Sequence, residues 1–325
     1  MLKKLTLIVI LLVFAKPAYD FITELLNEPS VSESYNSDME TPEQNTFLNE
    51  QQSSNIAQQE QSNSQSVNER TAEVTDPKQE DVPKWIDSTE DLADAFYYYY
   101  SRFETNFEIH YVGSTKNIEA MIQEATAMAA ARNDFVGGHI AGHEMRYEYS
   151  KMDAIIKVEQ RYLTNLAEIE AVKKWVAQVI EQNNVQSMSQ YDQIKFVNDV
   201  IVINTVYSEN TVASPHSAFA VAYEGKGVCQ GYALLAQEMF NQLGIESKYI
   251  VGEVEGQGHA WNLIKLDGNW YHLDVTWNDP TPDRGNKVRY GYFLVSDRFI
   301  AKDHTWIQGN YPAAVSETFA NMNES

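Results

Sequence analysis

GKGVCQGYALLAQEMFNQLG, residues 225–244, contains the single cysteine of this 325-residue chain. Gly225 and Gly227 interrupt whatever structure precedes them. After Cys229, the residues Tyr232, Leu235, Met239 and Leu243 recur at helical spacing, and Gly244 suits a helix C-terminal cap. The pattern predicts a helix that starts at or next to Cys229. Unpaired N–H groups and the positive end of the helix dipole stabilise a thiolate there. Those same N–H groups can donate to an oxyanion. An inert core cysteine, the ordinary state of a lone thiol, has no need of such a place. With one cysteine, a monomer has no internal disulfide.

A nucleophilic thiolate needs a base, and the base needs an orienting group. Both stand downstream in HAWNLIKLDGNWYHLDVT, residues 259–276. Asp267-Gly268 between two β-rich runs predicts a two-residue hairpin loop. Residue 266 then pairs with 269, so 261 faces 274 and 259 faces 276. His259 and Asp274 become diagonal neighbours on one face, about 7–8 Å apart at Cα, which a carboxylate–imidazole bond can bridge. Ile264, Leu266, Tyr271, Leu273, Val275 and Trp277 read as the core face.

Working outward, residues 1–26 read as an export signal or an uncleaved membrane anchor. Lys3 and Lys4 precede an apolar run from Leu5 to Ala15, ended by Lys16-Pro17. The run is shorter than the ~20 residues of a membrane span. Residues 27–83 carry 12 acids, 2 bases and only Tyr35 and Phe47 as aromatics. They read as a hydrophilic, disordered linker, its glutamines included. From Trp85 onward order is expected: a helix from Ser88, a strand at 107–112 and a helix at 115–132. Strands at 144–150 and 154–163, then helices at 166–182 and 190–206, follow. A working boundary near 165 separates an N-terminal α/β region, 84–165, from a catalytic domain, 166–325.

The formal net charge is -22. That charge repels nucleic acid and disfavours binding to an anionic membrane surface. Contact with a membrane is expected through the N-terminal segment alone, and the bulk of the chain is expected outside the cytoplasm.

The strings GKGVCQGYA, HAWNLIKLDGNWYHLDVTWNDP and YFLVSDRFIAKDHTW resemble bacterial transglutaminase-like proteins, a superfamily that shares a papain-type α+β fold. FVNDVIVINTVYSEN, residues 196–210, looks like the helix and tyrosine that precede the cysteine block there. The resemblance spans about residues 166–310. It implies an α+β papain-like core, a nucleophile helix packed on an antiparallel sheet, with an N-terminal α/β extension. Carried onto this chain, it makes Cys229 the nucleophile, His259 the base and Asp274 the orienting acid. Papain-type enzymes place an oxyanion-binding glutamine before the nucleophile; here Tyr223 stands six residues before Cys229. The backbone N–H of Cys229 is one oxyanion donor, and Tyr223, Gln230 and Trp261 are the side-chain candidates for the oxyanion or the cleft.

The chemistry so implied is acyl transfer at a protein or peptide amide through a thioester, without a cofactor or metal. A cysteine peptidase or amidase on the same triad, and a non-catalytic peptide-binding module, are the rival readings. His139 and His143 have a zinc-compatible spacing on a helix, but the glycines around them predict a loop. His272 is read as structural, and His304 and Trp277 as packing residues. Asn262 and Asp279 are polar residues close to the site.

Overall fold

Ser88 starts the first long helix as a capping box. Its hydroxyl accepts the Asp91 N–H and donates to the Asp91 carboxylate. The computed structural model describes residues 3–5 and 85–319, so the export-signal and linker readings of residues 1–83 fall, apart from Lys3–Leu5, outside the described residues. Among the described residues, no helix is long and apolar enough to cross a membrane.

The N-terminal region is a four-stranded antiparallel sheet covered by two helices. Strand β1 (Lys3–Leu5) borders β3 (Ile140–Tyr149), which pairs with β4 (Asp153–Tyr162) and then β2 (Asn106–Val112). In β2 alternate residues Phe107, Ile109 and Tyr111 are buried, the period of a half-buried strand. Helix α1 (Thr89–Tyr100) lays its aromatics on that face, with Tyr99 stacked on Phe107 at 4.2 Å between ring centroids. The run of tyrosines is thus a packing surface. Helix α2 is shorter than the sequence suggests, Ile118–Ala131, because the Thr115 hydroxyl is tied to the Ser150 carbonyl.

The glycine-rich stretch around His143 is a strand and not the expected loop. Gly142, at φ 143°, sits where the β3–β4 register shifts. A β-bulge, which glycine permits, takes the place of a chain break. His139 donates and accepts toward backbone: Nδ1 lies 2.7 Å from the Phe135 carbonyl, and Nε2 accepts the Ala218 N–H. It joins the two halves of the chain rather than pairing with His143.

Helices α4 (Leu166–Gln182) and α5 (Gln190–Asn204) lead into the C-terminal half, after the short α3 (Asp134–Gly137). Helix α5 stops two residues early, because the Val206 N–H bonds to the Gly225 carbonyl and β5 (Val206–Tyr207) pairs in parallel with β6 (Lys226–Gly227). The central helix, α6, spans Cys229–Leu243. It packs on a five-stranded sheet of order β10-β9-β8-β7-β11: Phe293–Val295, Asn269–Leu273, Gln257–Leu266, Ser247–Val254 and His304–Trp306. Along β8 the alternation divides two clusters. Ala260, Ile264 and Leu266 join the core around α6, while Trp261 and Leu263 join a smaller one with Ile250, Val295 and Ile300. This is a mixed helix-and-sheet fold with a nucleophile helix on an antiparallel sheet. The division near residue 165 is not clean in space, since Phe103 and Phe135 belong to the C-terminal core.

Candidate active site

Cys229 is the first residue of α6, behind Val228 as an extended N-cap that supplies no side-chain oxygen. The leading N–H groups of the helix therefore have no capping oxygen from the N-cap side chain. The Val228 N–H is fixed by the Pro215 carbonyl. The 215–217 segment lies so close to the first turn that a Cβ on Gly231 would stand 2.9 Å from the Pro215 oxygen and 2.8 Å from the Ser217 oxygen. Glycine in the cysteine motif thus serves close packing of backbone on backbone.

The hairpin has the register that its Asp267-Gly268 turn demands. Leu266 pairs with Asn269, and Asn262 with Leu273. Both turn residues have positive φ, 49° and 78°, as a type I′ turn needs. The ladder ends at Leu273, short of the 261–274 and 259–276 pairs to which the sequence reading extended it. Asp274 leaves the strand to cap a short helix, α7 (Val275–Asn278), its Oδ1 accepting the Trp277 N–H at 3.0 Å. Its other oxygen, Oδ2, lies 2.6 Å from His259 Nε2.

With Nε2 held by Asp274, His259 presents Nδ1 to the Cys229 thiol, within hydrogen-bonding reach. Burial alone would push the imidazole down. The Asp274 charge and bond, with the thiol, instead push it up to about 10. Burial opposes ionisation of Asp274 too, yet His259 and His304 hold its carboxyl well below the usual carboxylate range. A buried carboxylate, an imidazole that readily holds a second proton and a thiol at a helix N-terminus thus stand in sequence.

Of the three sequence candidates for the oxyanion or cleft, Tyr223 and Gln230 are engaged by other segments and Trp261 lies against His259. Tyr223 is about half exposed, stacked on Phe219, with its hydroxyl donating to the Ala171 carbonyl. The Gln230 amide donates to the Gly138 carbonyl across the boundary between the two halves. Trp261 is buried as the floor beneath His259, with ring centroids 5.8 Å apart, and its Nε1 donates to His272 Nδ1. The side chain that does reach the Cys229 backbone N–H is Tyr207, whose hydroxyl accepts from it. The β5–β6 pairing positions it there. Its signal lay in the tyrosine of residues 196–210, which had been given no role.

Tyr207, His259, Thr276, Trp277, Asp279 and Arg289 line an open cavity of about 400 Å³ on the His259 side of the site. Trp277 is half-buried in its wall and not in the core, since α7 turns it away from the ladder. Asp279 accepts the Tyr232 hydroxyl at 2.7 Å, and burial pushes its carboxyl up to about 6. Asn262 donates to the Ala233 carbonyl and braces sheet against helix. His272 accepts from Trp261 at Nδ1, so it carries its proton on Nε2, facing Asp297 at 2.8 Å. It is a buried connector.

His304 is more than packing. Its Nε2 lies 3.0 Å from the same Asp274 oxygen that binds His259. His259, Asp274 and His304 bring potential metal-ligating atoms within 4.8 Å of one another. Each of those atoms already has a partner, the thiol and Asp303 taking the outer nitrogens. The donor set is that of a proton-handling chain and leaves no convergent lone pairs for a cation.

Residues 163–275 match the sequence model of the transglutaminase-like superfamily. Mouse and human kyphoscoliosis peptidases are 28% and 29% identical to the chain over 93 residues, 23% of this chain and 14% of each relative. The match thus spans about a seventh of those relatives. Among solved structures, a TGase shares 18% identity at a TM-score of 0.31, covering 52% of this chain and 50% of the other. A candidate cysteine protease from Cytophaga hutchinsonii shares 17% at 0.30, covering 43% and 60%.

Proposed function

We propose that this chain, which carries a transglutaminase-like superfamily core across residues 163–275, is a cysteine enzyme that transfers acyl groups from a protein or peptide amide through a thioester on Cys229. The observation that carries the reading is the chain of contacts from the thiol at the start of α6, through His259, to the fully buried Asp274 at 2.6 Å.

The Cys229 thiolate attacks the amide carbonyl carbon, and the oxyanion so formed meets the Cys229 N–H. Tyr207, already at that N–H, rotates its hydroxyl proton toward the oxyanion as the second donor. His259 gives its Nδ1 proton to the departing nitrogen, the C–N bond breaks, and ammonia or an amine leaves. A second amine or a water then attacks the thioester. His259 takes the proton of that nucleophile and the thiolate is released. Asp274 keeps the imidazole in the required orientation throughout.

Resolution by water is the second reading, favoured by the peptidase name of the mouse and human relatives. The cavity that His259 and Tyr207 line is open, so it admits an incoming amine or a water. The charged-then-apolar pattern of residues 1–26 supports action outside the cytoplasm on substrates of the cell envelope.

The test supplies a glutamine-containing protein and a labelled primary amine, and follows label incorporation and chain cleavage together. Incorporation that disappears in Cys229→Ala supports the transferase. Cleavage without incorporation moves the reading to a peptidase. Neither reaction, with a thiol inert to electrophiles, leaves a peptide-binding module.

A further inference from the structure

Of the residues that line the cavity on the His259 side, Arg289 is the only lysine or arginine. It lies in the segment between α7 and β10, much of which is exposed, yet its place is fixed from both sides. Its backbone N–H donates to the Asn278 carbonyl at 2.9 Å. Asn278, fully buried at the end of α7, donates its side-chain amide to Asn198 Oδ1 at 2.8 Å and accepts the Tyr292 N–H at 2.9 Å. The neighbours Val288 and Tyr290 pack against the core around α6. The Tyr290 hydroxyl donates to Asp199 and accepts from Lys195, both on α5. The turn that begins with Asp274 therefore also anchors Arg289. Lys195 is neutralised by Asp199. The Arg289 guanidinium has no carboxylate in ion-pair contact among the described residues. Asp279, in the same cavity wall, feels its charge through space, but Oδ2 of that carboxyl is taken by the Tyr232 hydroxyl. An arginine that is merely a solvated surface charge has no need of such anchoring.

Resting on the acyl-transfer reading above, we propose that Arg289 selects the amine side of the reaction: it binds a carboxylate on the molecule whose amine leaves or enters at His259, so that this molecule carries both groups, as an amino acid or an acidic peptide does. The amine side follows from the cavity. His259, which hands a proton to the departing nitrogen or takes one from the entering nucleophile, lines the same space as Arg289. A guanidinium presents its N–H groups in a planar fork that matches the two oxygens of a carboxylate, so it fixes orientation as well as charge. Glu255, from the turn between β7 and β8, adds a negative charge to the cavity wall, and Asp279 adds another carboxyl. A carboxylate therefore has one favourable place there, at Arg289. The net charge of -22 does not oppose this contact, because charges farther away than about 8 Å are largely screened at physiological ionic strength.

The test labels Cys229 in the full chain with bromoacetyl reagents of matched length that end in a carboxylate, a carboxamide or an amine. N-bromoacetyl-β-alanine, its amide, N-bromoacetyl-diaminopropane and their longer homologues serve, since the added methylenes let the tail reach along the cavity. The saturation constant and the limiting rate of labelling are read separately. In the wild type the best carboxylate reagent is expected to saturate at about fivefold lower concentration than its carboxamide, the effect of one charge pair in a partly exposed wall, with the limiting rate little changed. That preference should vanish in Arg289→Gln and turn toward the amine reagent in Arg289→Glu. Each comparison is made between reagents within one protein, so a change in the thiol itself cancels. Both substitutions fall on an exposed side chain and keep the backbone bond to Asn278. Equal saturation by carboxylate and carboxamide in the wild type, or a preference that survives in Arg289→Gln, overturns the proposal. A wild-type preference for the amine reagent overturns it too and gives the selectivity to the acids of the cavity wall. Those results leave the thioester reading standing, whereas a Cys229 inert to every reagent, iodoacetamide included, overturns that reading and this inference with it.

Discussion

Cys229, His259 and Asp274 were legible because each has a local cause: a helix start, a strand face and a fixed hairpin parity. His304 and Tyr207 were not, because their roles depend on contacts between segments far apart in sequence, which periodicity does not record. Three predictions belong to single side chains. His259→Ala should slow alkylation of Cys229 below neutral pH, since the imidazolium that favours the thiolate is gone; a rate–pH profile checks this. Tyr207→Phe should lower acylation by an activated ester about 100-fold, the typical cost of one oxyanion donor, while iodoacetamide alkylation, which forms no oxyanion, stays within about twofold. The third concerns pH and stability. His259 is raised from 6.5 to about 10, so its contribution is complete below about pH 6.5 and is lost as pH rises through about 10. Asp274 is held below its ordinary 3.8, so its contribution is complete above about pH 3.8 and is lost in acid. The difference in melting temperature between wild type and Asp274→Asn should therefore be widest between about pH 4 and 6.5 and narrow on both sides.

Among elements, the hairpin shows where reading a sequence succeeds and where it stops. Asp267-Gly268 dictated the pairing of Leu266 with Asn269, and the structure has it. What the alternation could not show is that Asp274 has a better use as the cap of α7 than as one more ladder residue. That turn carries Trp277 out of the core and into the cavity wall. Gly142 teaches a related lesson, since glycines in a strand can mean a bulge as readily as a loop. The start of α6 supports a prediction about packing. Gly231→Ala forces a Cβ to within 3 Å of two carbonyl oxygens, so either the 215–217 segment or the helix must move. A loss of about 1–3 kcal/mol is expected, measurable by urea unfolding, with slower alkylation because Cys229 sits two residues away.

At the scale of the molecule, the two halves are bound at the place where the site is built. Gln230, next to Cys229, donates to Gly138; the Ala218 N–H bonds to His139; and Asp134 accepts the Tyr249 N–H. Phe103 and Phe135 fill the core beneath α6. A chain beginning at residue 166 should accordingly be less stable and less reactive at Cys229 than the full chain, as melting temperature and alkylation rate will report. The charge of -22 bears on encounter with cationic partners, and not on which bond is broken. The proposed chemistry rests on the thiol. The most direct test of that claim is the rate of Cys229 alkylation from pH 4 to pH 9 in the full chain, compared with His259→Ala. The account predicts fast alkylation well below the ordinary thiol pKa of about 8.5, with that acid-side reactivity lost in the variant. An ordinary thiol profile, the same in both proteins, would contradict it.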